Sequence, residues 1–109
     1  MSAMRDKIVA LHGQHALKRS ILSIREGGGV IEHFLSGKGV RTALEIGTYR
    51  GVGAAEISQF VDRVITIDLH HGRLEQLGEK WDRRAFWRSL GIDNIDLHLV
   101  HNDAEKAAL

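Results

Sequence analysis

Residues Thr42 to Gly53, T-A-L-E-I-G-T-Y-R-G-V-G, constrain this chain more tightly than any other stretch. A short apolar run, Thr42, Ala43, Leu44 and Ile46, is interrupted only by Glu45. Glycines follow at Gly47, Gly51 and Gly53, and Ala54 to Phe60 resumes at helical spacing. That order spells a strand, a glycine turn and the start of a helix. Gly47 lets the chain turn sharply, while Gly51 and Gly53 allow backbone to approach a ligand or a neighbouring element. The free amides of a helix start attract negatively polarised groups. About twenty residues on, the β-branched run Val64-Ile65-Thr66-Ile67 ends in Asp68, where a carboxylate can take both hydroxyls of a ribose. A purely structural glycine turn followed by an ordinary strand-end aspartate is the plainer alternative.

Composition narrows the classes. The chain has 109 residues, 43% hydrophobic and 27% charged, which fits one small globular domain with a modest core. Fifteen basic residues against fourteen acidic ones give a net charge of +1, so any attraction to nucleic acid or an anionic surface has to come from a local patch. The absence of cysteine excludes disulfides, zinc-thiolate sites and thiol catalysis. No apolar run approaches the roughly twenty residues of a membrane span. Asp6 and Lys7 stand where a signal peptide would have its apolar region, and a cytoplasmic protein is expected.

Along the chain, Met4, Ile8, Leu11, His15, Leu17, Ile21 and Leu22 fall near one side of a helix, with Arg5, Lys7, Lys18 and Arg19 largely elsewhere and Ser2 as its candidate N-cap. Glu26-Gly27-Gly28-Gly29 reads as a linker, since no strand precedes it and no Lys-Ser or Lys-Thr follows. Val30, Ile31, Phe34 and Leu35 recur at helical spacing, and Gly37 and Gly39 close that segment. Next come a strand near residues 41–46, a helix near 52–60 and a strand near 63–68. A polar helical region from about 72 to 90 carries Leu74, Leu77, Trp81, Phe86 and Leu90, with Gly91 as its C-cap. Ile95, Leu97, Leu99 and Val100 supply a third strand. The order α, α, β, α, β, α, β predicts a parallel sheet, with right-handed crossovers placing helices on its two faces.

The turn E-I-G-T-Y-R-G-V-G, with Asp68 and the tail L-H-L-V-H-N-D-A, resembles the first half of class I S-adenosylmethionine-dependent methyltransferases over roughly residues 41–107. The resemblance implies an α/β fold: one minimal Rossmann-like, three-layer domain over 1–109, with a three-stranded parallel sheet in the order 3-2-1. Residues 1–40 would form a helical N-terminal extension and 41–109 the βαβαβ core. It implies S-adenosylmethionine as cofactor. Glu45 matches the acid near the cofactor's amino group. Gly47, Gly51 and Gly53 match the glycine loop, and Thr48 and Tyr49 sit where loop atoms meet the methionine carboxylate. Asp68 matches the ribose-binding acid and Leu69 the apolar neighbour of adenine, while Asp103 and the Ala104 amide match the position reading the adenine amino edge. A NAD-type binder and a catalytically inert cofactor-binding module are the other readings.

Family members usually carry further strands after the third, including the region that holds acceptor and catalytic residues, and this chain stops just after the third. A half-sheet leaves its first strand as an edge, so a dimer or larger oligomer through that edge is expected, or capping by the N-terminal helices. The acceptor is undetermined, with nucleic acid among the classes. His70, His71 and His101, expected at strand ends on the cofactor side, are the candidate bases. Adjacent histidines point apart and no carboxylate spacing completes a ligand set, so no metal is expected. The run Lys80 to Arg88 offers Arg83, Arg84 and Arg88 to phosphates and Trp87 for base stacking. The even charge balance favours the plainer reading, a helix packing Trp81 and Phe86 on the sheet with a solvated arginine face.

Overall fold

The structure, a computed structural model, describes residues 3–17, 27–69 and 81–100. It is α/β, with helices α1 (Ala3–His12), α2 (Gly27–Leu35), α3 (Val52–Ile57) and α4 (Arg83–Ser89), and a 3-10 turn at Gln14–Leu17. The strands are β1 (Thr42–Ile46), β2 (Arg63–Leu69) and β3 (Ile95–Val100). They form one parallel sheet in the order β1-β2-β3, the expected 3-2-1 read from the other edge. Glu45 pairs in register with Thr66, and Thr66 with Leu97.

The alternation of β2 gives one face Val64, Thr66 and Asp68 and the other Ile65 and Ile67. Val64, Ile95 and Leu97 pack with Met4 and Ile8 of α1, Val52, Ala54 and Ala55 of α3, and Phe86 and Trp87 of α4. Thus α3 and α4 share a core on one face of the sheet, where helices on both faces were expected. The reason is topological: the chain steps from β1 to β2 to β3 in one direction, and two crossovers of the same hand stepping the same way put their helices on the same side. On the opposite face of β1, Leu44 and Ile46 are 64% and 58% exposed.

The N-terminal residues are part of that core. Met4 and Ile8 are buried, Lys7 Nζ donates to the Leu90 carbonyl at 2.7 Å, and His12 Nε2 lies 2.6 Å from Ser89 Oγ with its ring edge-on to Phe86. The expected long helix stops at His12, where Gly13 takes a φ of +85°, and the rephasing leaves Leu11 exposed and brings Ala16 and Leu17 inside. Arg5, expected on the polar side, is buried and faces the fully buried Glu56 of α3 with Nε 3.9 Å from Oε1.

Two other boundaries differ from expectation. Gly27-Gly28-Gly29, read as a linker, forms the first turn of α2. Glycine there costs about 1 kcal/mol per residue relative to alanine, and tertiary packing overrides so weak a preference; α2 lies against α3. Of the helical region expected from about 72 to 90, residues 72–80 lie outside the described residues, Trp81 and Asp82 are not helical, and a helix runs from Arg83 to Ser89. Asp82 is extended and accepts the Ala85 amide at 3.0 Å, an N-cap that satisfies one of the free donors. Gly91 follows the helix with a φ of +74°, as its expected role as C-cap requires. No described helix is long and apolar enough to cross a membrane.

Candidate functional site

In a parallel α/β sheet the crevice lies outside the carboxyl ends of the strands, and the β1 turn and the end of β2 meet there. The Gly47 amide donates to the Ile67 carbonyl at 2.8 Å, which ties the turn to β2 as it leaves the sheet. The chain then turns through Thr48–Gly51, closed by the Gly51 amide on the Thr48 carbonyl at 3.0 Å. Tyr49 takes a φ of +53°, a region that carries a penalty for residues with a Cβ. Its amide donates to Asp68 Oδ2 at 2.8 Å, so the strained residue is anchored to the carboxylate at the end of β2.

Behind the turn runs a buried polar chain. Thr66 Oγ1 donates to Glu45 Oε1 at 2.7 Å, and Thr48 Oγ1 lies 2.6 Å from Thr66 Oγ1. A threonine hydroxyl has one proton, so when Thr66 gives its own to Glu45 it accepts from Thr48. Burial pushes the Glu45 carboxyl up to about 7; the Thr66 hydrogen bond opposes this and the charge of Asp68 adds to it. A carboxyl whose folded pKa lies above its unfolded value costs stability when it ionises. Stability is therefore fullest at or below about pH 4.5 as far as Glu45 is concerned, and falls as pH rises towards 7. Glu45→Gln should flatten that fall and raise stability at pH 8 by about 1–2 kcal/mol, after allowing for partial exposure. Urea unfolding at several pH values measures it, and an unchanged pH slope would show that Glu45 does not titrate in this range.

In the basic, aromatic run Phe86 lies in the core with Trp81 packed against it and Arg84 and Arg88 exposed, as the packed-helix reading expected, but Arg83 is not solvated. Trp87 is 3% exposed and its Nε1 donates to the Gly51 carbonyl at 2.9 Å, so it offers no face for base stacking. Trp81 Nε1 donates to the Arg50 carbonyl at 2.9 Å. Arg83 Nη1 reaches the Tyr49 carbonyl at 3.5 Å and bonds Asp68 Oδ2 at 2.9 Å, with side chains only 10% and 12% exposed. Burial lowers the Arg83 pKa from its ordinary value, while the charge of Asp68 acts to raise it. Three consecutive carbonyls of the turn, at residues 49, 50 and 51, thus each accept from a side chain of the 81–87 segment. Arg84 and Arg88 are exposed, and Arg84 Nη2 donates to the Leu97 carbonyl of β3 at 3.3 Å.

Of the residues expected in a cofactor site, Glu45, Gly47, Thr48, Tyr49, Gly51 and Asp68 are brought together. Their surroundings differ. A Cβ on Gly47 would meet nothing within 4 Å, so its face of the turn is open. A Cβ on Gly51 would lie 2.6 Å from Trp87 Nε1, so that glycine serves close packing with an indole. The Thr48 hydroxyl is buried against Thr66 and the Tyr49 amide is given to Asp68, rather than either being turned outward. Gly53 lies in the first turn of α3 and Leu69 ends β2. His70, His71, His101, Asp103 and Ala104 lie outside the described residues.

Trp81, Arg83 and Trp87 are the site-forming residues that sequence reasoning assigned elsewhere. The signal available for them was the Asp82 cap, which starts α4 and sets which of these side chains can face the turn. No family model matches this chain, and no curated protein matches it.

Proposed function

We propose that the chain binds S-adenosylmethionine at the carboxyl ends of β1 and β2 and transfers its methyl group to an acceptor, with nucleic acid among the acceptor classes. The observation that carries this reading is the meeting of Asp68 with the turn after β1, two strands in parallel register with Glu45 beside the same turn. Of the groups that would hold the cofactor, Gly47 presents an open backbone face, while the nearly buried Asp68 carboxylate already accepts from the Tyr49 amide and Arg83 and would have to share or exchange a partner to take hydroxyls. When bound, the cofactor supplies an activated methyl on a sulfonium. What this chain has to add is orientation of that methyl and, for acceptors that lose a proton, a base.

Ligand-induced stabilisation tests the binding step. S-adenosylmethionine or S-adenosylhomocysteine at a hundred times its dissociation constant should stabilise the protein by about 2.7 kcal/mol, with NAD and ATP giving no shift. Stabilisation by NAD alone would replace this reading with a dinucleotide site, and no stabilisation by either sulfur ligand would remove it. Binding without labelled methyl transfer to nucleic acid, protein or small molecules would leave a cofactor-binding module.

The same reading includes self-association through β1. Arg41 and Gly47 direct their backbone groups at β2, so Thr42, Leu44 and Ile46 point theirs outward, beside the exposed Leu44 and Ile46 side chains. At the other edge Arg84 occupies the Leu97 carbonyl, which disfavours strand addition there. A dimer by light scattering fits this; a monomer at high concentration counts against it.

A further inference from the structure

We propose that Arg83 is the positioning residue of the candidate ligand site, holding the Asp68 carboxylate and, through it, the turn at Tyr49 in the shape a ligand meets. The inference rests on the ligand reading above only for what occupies the site; the positioning itself is argued from the protein's own contacts. A non-glycine residue at a φ of +53° persists only where its surroundings hold it. The hold on Tyr49 is its amide hydrogen bond to Asp68 Oδ2, and Arg83 Nη1 donates to that same oxygen. Both side chains of the ion pair are nearly buried, so water competes little for either charge and the carboxylate orientation follows the guanidinium.

The guanidinium is itself placed by rigid structure. Arg83 is the first residue of α4, directly after the Asp82 cap, and α4 is fixed by Phe86 and Trp87 in the core. Position is thereby relayed from the core to Asp68 and on to Tyr49. Without Arg83, a largely buried carboxylate that takes part in further interactions loses the charge-assisted donor on Oδ2, and the acceptor of the Tyr49 amide is held less firmly. Arg84, next in sequence, is exposed and bonds β3 instead, so it provides an internal control.

The test compares amide hydrogen exchange at Tyr49 and affinity for S-adenosylhomocysteine in wild type, Arg83→Ala, Arg83→Lys and Arg84→Ala. Exchange at Tyr49 is taken relative to Val64, whose amide donates to the Asn94 carbonyl at 2.9 Å and reports general loosening. In Arg83→Ala, Tyr49 exchange relative to Val64 should rise and affinity should fall, each by about tenfold or more. Arg83→Lys, which keeps the charge but not the fork, should recover part of both, and Arg84→Ala should match wild type. Should Arg83→Ala not fold, Arg83→Gln carries the same comparison. Equal Tyr49-to-Val64 ratios in variant and wild type would overturn the proposal, as would unchanged affinity. If wild type binds neither sulfur ligand, the functional reading falls, and the exchange ratio alone decides whether Arg83 holds the turn.

Discussion

Glu56→Ala is expected to destabilise the protein by about 3–5 kcal/mol, the usual consequence of leaving one member of a buried ion pair without its counter-charge. Glu56 is fully buried on α3 and its carboxylate faces Arg5, whose side chain is 4% exposed, across the α1–α3 packing. Both residues take part in further interactions, so the loss is not of one contact alone. A small domain has 5–15 kcal/mol in total, so this change should visibly lower the urea midpoint or unfold the chain at room temperature. Joining Arg5→Met to Glu56→Leu should recover most of the loss, because apolar side chains of similar size can replace a buried pair at little net cost. A double-mutant cycle reads the coupling directly, and additive single effects would show that the two charges do not interact.

Gly51→Ala is expected to cost about 3 kcal/mol, from two sources. Its φ of +93° carries a penalty of about 1–2 kcal/mol for a residue with a Cβ. The added methyl would also lie 2.6 to 2.9 Å from three atoms of the Trp87 indole. That ring is pinned in the core by its bond to the Gly51 carbonyl, so relief requires moving α4 or the turn, at about 1–3 kcal/mol. Gly47→Ala separates the terms. Its φ of +96° is similar but its Cβ meets nothing, so about 1–2 kcal/mol is expected from urea unfolding. Equal costs at the two positions would mean that Trp87 yields easily.

The β-α-β unit was legible because its signals are local: two short apolar runs, the glycines between them and Asp68 at the second run's end. Periodicity and turn chemistry act over a few residues, and β1, α3 and β2 begin within a residue of where those signals put them. The roles of Trp81, Arg83 and Trp87 were not legible in the same way. Their composition suits a nucleic-acid surface, and what assigns them to the turn is the docking of α4, which depends on the sheet being formed. Gly27 to Gly29 mislead for a related reason, since intrinsic propensity is a weak term beside packing. Arg5 was placed outside because a charge on an amphipathic helix is ordinarily solvated, and only the position of Glu56 on a different helix makes its burial affordable. Thr48 was expected to face a ligand from the glycine loop and Thr66 had no expected role; their bond joins residues from two elements, which no local pattern announces.

The clasp between α1 and the end of α4 bears on how the chain is made. Lys7 finds the Leu90 carbonyl 83 residues away in sequence, and His12 finds Ser89 across 77. During synthesis at about 5–20 residues per second, the apolar stripe of α1, with Met4 and Ile8, emerges several seconds before the surface that covers it exists. Helix α1 thus settles only after α4 has been made. The nascent chain carries that stripe unprotected through the interval, which is when a chaperone has most to hold and when chains on neighbouring ribosomes can most readily stick together.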